Sequence, residues 1–175
     1  KVPLPTACFL QATTIGEETI ALLVLAELTK SKNVADLFCG IGPFTLRLAS
    51  TTAVYAADTN ETAIAALDYA VRFTKNLKPV ETAVRDLFHN PMYHRDLNRF
   101  DSVIINPARA GAKAQVEEIS ISEVPLVIYV SCDPTSLARD AEILVDGGYK
   151  FERAMPVDQF KFSPHVETVA IFRQC

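Results

Sequence analysis

Apolar positions along the chain fall into short blocks set off by polar turns, and the spacing within each block distinguishes helix from strand. Thr14-Ile15-Gly16-Glu17 has capping-box spacing, and the apolar stretch 20–28 that follows predicts a helix over about 15–30. Short runs rich in apolar residues at 34–38, 53–57, 101–105 and 126–130, with a weaker one at 80–84, are too short for helices and read as strands. Helical patterns separate several of them. One covers 44–49; a second follows Asn60, with Ile64, Leu67 and Val71 on one face. A third has Asp133 and Pro134 suited to its N-cap and first turn and is stopped by Gly147-Gly148. The blocks 149–157 and 165–172 read as two closing strands. Strands alternating with helices specify an α/β domain, here spanning 1–175, whose mostly parallel sheet is covered on both faces and closed by an antiparallel strand.

Ligands of such sheets sit at the carboxyl ends of the strands. Gly40 and Gly42, Asp58, Asp86, Asn106 and Cys132 all fall at those ends. The loop Asp36-Leu37-Phe38-Cys39-Gly40-Ile41-Gly42-Pro43 has two glycines of a dinucleotide fingerprint, but Thr45 occupies the third position. A glycine turn with a ribose-binding carboxylate at Asp58, and without the third glycine that favours a pyrophosphate, suits S-adenosylmethionine better than NAD. The expected fold is therefore a class I, Rossmann-like methyltransferase. Phe38, Gly40, Gly42, Pro43, Asp58, Asp86 and Asn106 are its candidate cofactor-binding residues.

Composition narrows the setting. The 175 residues are 49% hydrophobic and 22% charged, as in ordinary globular proteins, and no apolar run approaches the length of a membrane span. Cys8, Cys39, Cys132 and Cys175 are scattered without a CxxC pair, so neither a disulfide framework nor a metal site is expected, and a cytoplasmic location fits. His89 and His94 lie in a polar stretch with Asp86 and Asp96 that reads as a solvated loop. The net charge of −4 argues against a strong grip on nucleic acid by these residues alone.

Five segments in order resemble the RNA uracil-5-methyltransferases. Phe9-Leu10-Gln11 resembles the family's F-x-Q motif, and 35–49, ADLFCGIGPFTLRLA, its cofactor loop. Asn106-Pro107-Ala108-Arg109-Ala110-Gly111 resembles its [DN]-P-[PA]-R-x-G segment, and 131–140, SCDPTSLARD, its nucleophile motif. His165-Val166-Glu167-Thr168 resembles its closing segment. Asp58 stands where many members have Glu, and Asp133 where Asn is usual. The resemblance implies S-adenosylmethionine as cofactor, with Gln11 near its methionine end. It also implies RNA as partner, ribosomal RNA ahead of tRNA. Members usually carry an N-terminal RNA-binding barrel, and many an iron–sulfur cluster upstream, so the expectation is a catalytic domain excised from a longer chain.

Methylating carbon 5 of uracil requires a thiolate to add at carbon 6 and a base to remove the carbon 5 proton afterwards. Cys132, between a strand end and a helix N-terminus, is the candidate nucleophile; the bland reading is a buried small hydrophobe. Glu167, in an otherwise apolar strand, is the candidate base, against an ordinary edge carboxylate. Asn106 is a candidate contact to the amide edge of uracil. Arg109 and Arg139 are candidates to touch RNA phosphate or to orient neighbouring carboxylates, evenly weighed against surface or helix-capping charges. Two alternatives stand beside this reading. One is methyl transfer to another RNA atom or amino group; the other is a non-catalytic cofactor-binding module.

Overall fold

A computed structural model describes residues 13–159 and 166–174. The elements run α1 (Thr14–Glu27), β1 (Asn33–Leu37), α2 (Pro43–Leu48), β2 (Ala53–Asp58), α3 (Glu61–Arg72), β3 (Val80–Val84) and α4 (His94–Leu97). They continue β4 (Ser102–Ile105), α5 (Lys113–Ser120), β5 (Leu126–Ser131), α6 (Pro134–Asp146), β6 (Tyr149–Val157) and β7 (Glu167–Gln174). The strands form one sheet in the order β3-β2-β1-β4-β5-β7-β6. β1 to β5 are mutually parallel, and β7 inserts antiparallel between β5 and β6. This is the class I Rossmann-like methyltransferase architecture expected from the sequence. The order reverses between β1 and β4, and the crevice at that switch opens over the carboxyl ends of both strands.

Strand alternation sorts the core onto two faces. Val103, Ile105, Val127 and Tyr129 point to a cluster with Met92, Leu97, Val116, Ile119 and Leu144, under α4, α5 and α6. Ile104, Ile128 and Val130 point the other way, to Ile20, Val24, Phe44 and Leu48 of α1 and α2. Ala56 meets Ile64 and Leu67 of α3 on this second face. Buried on both sides, the central strands are continuous apolar runs, which is why they are legible without alternation.

Two helix ends behave as expected. Asn60 caps α3 by accepting from the Ala63 N–H, and Asp133 caps α6 by accepting from the Ser136 N–H. The start of α1 differs from the expectation. Its N-cap is Thr13, whose hydroxyl accepts from the Gly16 N–H at 2.9 Å, so the Thr14/Glu17 capping box does not form. Thr13 sits one residue nearer the preceding chain, and Glu17 is thereby left for another partner. The solvated loop expected around His89 and His94 contains the short helix α4, and His94 is held by Glu118 at 2.9 Å. Among the described residues no helix is long and apolar enough to cross a membrane.

Candidate active site

A cavity of about 470 Å³ opens at the carboxyl ends of β1, β2, β4 and β5. Phe38, Gly40, Gly42, Pro43, Asp58, Asn106, Arg109, Cys132 and Glu167 all line it, so strands distant in sequence deliver their end residues to one space.

The loop after β1 is built to bring backbone close to a ligand. Phe38, Gly40 and Gly42 all have positive φ, at 60°, 54° and 76°. At Gly40 a Cβ would meet nothing within 4 Å, which leaves that backbone open to the cavity; at Gly42 it would lie 2.5 Å from Leu67 Cδ1. Asp58 fixes the turn, accepting from the Gly40 N–H at 2.9 Å and from the Asn60 N–H at 2.8 Å. Beneath the loop, Asp36 is fully buried and its Oδ2 accepts from the Thr45 N–H and hydroxyl, at 3.0 and 2.6 Å. Burial pushes its carboxyl up to about 7. Phe38 packs against Phe88, ring centroids 5.1 Å apart, to wall the cavity beyond Asp58. Asp86 stands apart from the lining. Its carboxylate accepts from the Phe88 N–H and pairs with His89 at 2.8 Å, which holds it below the usual carboxylate range.

The second half of the cavity holds Cys132 and Glu167. Cys132 follows β5 and is half-buried. Its position before a helix suggests a thiolate held by free amides, but Asp133 already takes the Ser136 N–H at 2.8 Å. Burial and then the charge of Glu167 push the thiol up, with Arg109 pulling it down. Glu167 is only 2% exposed at the start of β7, which rules out a solvated edge carboxylate. Burial raises its carboxyl, and a hydrogen bond from the side chain of Gln159 opposes the rise. Gln159, which carries no motif in the sequence, is the neighbour that reading residues alone misses. It fits because Gly16 is bare: a Cβ there would lie 2.2 Å from Gln159 Oε1.

Comparison with known proteins identifies the family. The family described as tRNA (uracil-5-)-methyltransferase matches residues 4–174. The chain belongs to that family. It is 51% identical over 170 residues to an uncharacterised RNA methyltransferase of Brucella melitensis, an alignment covering 97% of this chain and 41% of the relative. It is 40% identical over 153 residues to the 23S rRNA (uracil(1939)-C(5))-methyltransferase of Colwellia psychrerythraea, covering 80% of this chain and 30% of the relative. The tRNA (uracil-54, C5)-methyltransferase of Pyrococcus abyssi, solved with S-adenosyl-L-homocysteine, superposes with a TM-score of 0.81 at 28% identity, covering 95% of this chain and 40% of that one. The chain thus spans about two fifths of the length of such relatives.

Within this tRNA (uracil-5-)-methyltransferase family member, the 131–140 segment and the stretch that begins at Asn106 are tied together by Asp140. That carboxylate is fully buried and accepts from the Tyr129 hydroxyl at 2.6 Å, the Ala112 N–H at 2.7 Å and Arg139 at 2.6 Å. Arg139 also donates to the Ala110 carbonyl at 3.0 Å. Of its two expected roles, orienting a carboxylate is the one observed. Cys39 lies in the loop after β1, where burial pushes its thiol well up. Gln11, Cys8, His165 and Cys175 lie outside the described residues.

Proposed function

We propose that the chain transfers a methyl group from S-adenosylmethionine to carbon 5 of a uridine in RNA, with ribosomal RNA favoured over tRNA, through a covalent bond between Cys132 and carbon 6. The observation that carries this reading is the meeting of Cys132 and the buried Glu167 in the same cavity as the Gly40–Gly42 loop. The cavity also fits the cofactor. Gly40 leaves open backbone, Asp58 on the cavity wall offers a carboxylate to ribose hydroxyls, and Phe38 and Phe88 give an aromatic wall for a purine.

Carbon 5 of uracil is a weak nucleophile. The Cys132 sulfur adds to carbon 6, and the ring electrons displaced toward carbon 5 make it nucleophilic. The cofactor, when bound, supplies an electrophilic methyl on its sulfonium. Glu167 then takes the proton from carbon 5, the ring electrons return, and the Cys132 sulfur leaves carbon 6. A carboxylate raised by burial suits that proton transfer near neutral pH. Asn106, which lines the cavity, both donates and accepts and so matches the amide edge of uracil, while Arg109 draws the thiol toward its ionised form.

The test separates the two steps on RNA tritiated at uracil carbon 5. Cys132→Ala is expected to release no tritium and form no adduct. Glu167→Gln is expected to methylate the ring and then stall, leaving protein attached to RNA in a denaturing gel. Full activity of Cys132→Ala would rule out the covalent route and favour transfer to an amino group instead.

A further inference from the structure

Glu17 and Arg47 have no part in the chemistry above, yet both line the cavity. Arg47 Nη2 donates to Glu17 Oε1 at 2.8 Å, and Arg47 Nη1 donates to the Pro43 carbonyl, also at 2.8 Å. Their side chains are 36% and 29% exposed, and an ion pair this open contributes little to stability. Its value lies in where the charges sit.

Two features of the chain put them there. Thr13 caps α1, so Glu17 is free to reach across to α2. The start of α2 is poor in donors: Pro43 has no N–H, the Thr45 N–H is committed to Asp36, and the Leu46 N–H to the Gly42 carbonyl. An anion arriving at the start of α2 therefore finds few uncommitted amides there and is better met by a side-chain cation. Arg47 folds back over Pro43 and supplies one.

The other charged groups on the cavity already have a part in the reading above. Asp58 is tied to the Gly40 and Asn60 amides, Glu167 accepts from Gln159, and the charge of Arg109 acts on Cys132. Glu17 and Arg47 offer opposite charges in hydrogen-bond contact, a match for a ligand group with a carboxylate and an ammonium on one carbon. We propose that they form the subsite for the amino-acid end of the cofactor, Arg47 meeting the α-carboxylate and Glu17 the α-ammonium; this rests on the S-adenosylmethionine reading. The pair then distinguishes cofactor and by-product from nucleosides that lack the amino acid.

Calorimetry on the 175-residue chain tests this with three ligands. S-adenosylhomocysteine carries both charged groups, decarboxylated S-adenosylmethionine keeps only the ammonium, and methylthioadenosine has neither. Arg47→Met is expected to weaken S-adenosylhomocysteine about 10- to 100-fold, the loss of one charge-assisted contact, while leaving the other two ligands unchanged. Glu17→Gln is expected to weaken the two ligands that carry the ammonium and to spare methylthioadenosine. Arg47→Lys is expected to recover part of the loss. It and Glu17→Gln carry the test if the Met variant melts early. Equal weakening of all three ligands, or unchanged affinity for S-adenosylhomocysteine, overturns the subsite. Failure of the unmodified chain to bind S-adenosylhomocysteine at all removes the cofactor reading, a separate result.

Discussion

Cys132 is surrounded by opposing influences. Burial and Glu167 disfavour its thiolate, and Arg109 favours it. A neighbouring charge acts on a thiol in a fixed direction, so each neighbour has a signature. Glu167→Gln removes a negative charge and is expected to move the midpoint of Cys132 alkylation to lower pH; burial, the larger cause, remains, so it stays above that of a solvent-exposed thiol. Arg109→Ala removes a positive charge and is expected to move it to higher pH. Alkylation rates against pH, read by mass spectrometry on the peptide carrying Cys132, check both; shifts of the same sign in the two variants would contradict the geometry. That Glu167 stands out was legible in the sequence because a carboxylate in an apolar strand is out of place, and it is buried. Its partner Gln159 was not, because a glutamine just past the end of β6 carries no periodicity, and the gap it fills is made by Gly16, far away in the chain.

Elements were legible in proportion to how much of their pattern is local. The central strands and the caps at Asn60 and Asp133 are written in runs of a few residues, and they form where those runs place them. Helix α5 was missed. Its cap is Ala112, without a side-chain hydrogen bond, and much of what secures its start is remote: the Ala112 N–H donates to Asp140, 28 residues on. Asp140 therefore acts at the scale of elements, joining β5, α6 and the segment before α5. Asp140→Ala leaves the Tyr129 hydroxyl and the Ala112 N–H buried without their acceptor and is expected to cost about 3 kcal/mol. Gly111→Ala attacks the same junction from the other side. Its φ is 77°, and a Cβ would lie 2.5 Å from Arg139 Nη2 and 2.6 Å from Asp140 Oδ2, so a loss of about 1–3 kcal/mol is expected. Urea denaturation checks both variants. A Gly111→Ala variant as stable as the parent would mean that the Asn106–Gly111 segment is not held against α6.

Across the whole molecule, the site and the charge point in different directions. The cavity gathers the candidate site residues, and the 175 residues carry a net charge of −4. Affinity for nucleic acid comes largely from cations that displace counterions from phosphate, and each such contact adds to the steepness of the salt dependence. Several cations of this chain are already committed within it: Arg139 to Asp140, Arg153 and Arg173 to Glu27, Arg72 to Asp68 and Arg47 to Glu17. Cations engaged in this way contribute less to a phosphate track than their number suggests. The 175-residue chain is therefore expected to bind RNA weakly, with a shallow salt dependence and little preference between a ribosomal and a tRNA fragment. Filter binding across a salt series measures both slope and preference. Relatives that this chain matches are more than twice as long, so the comparison that matters sets the chain against a full-length relative such as the one from Brucella melitensis. A steep slope in the relative and a shallow one here would assign the grip on RNA to residues outside these 175 and leave the chemistry of one flipped base to the cavity. A steep slope in the chain alone would mean that its free lysines and arginines form a track the net charge conceals.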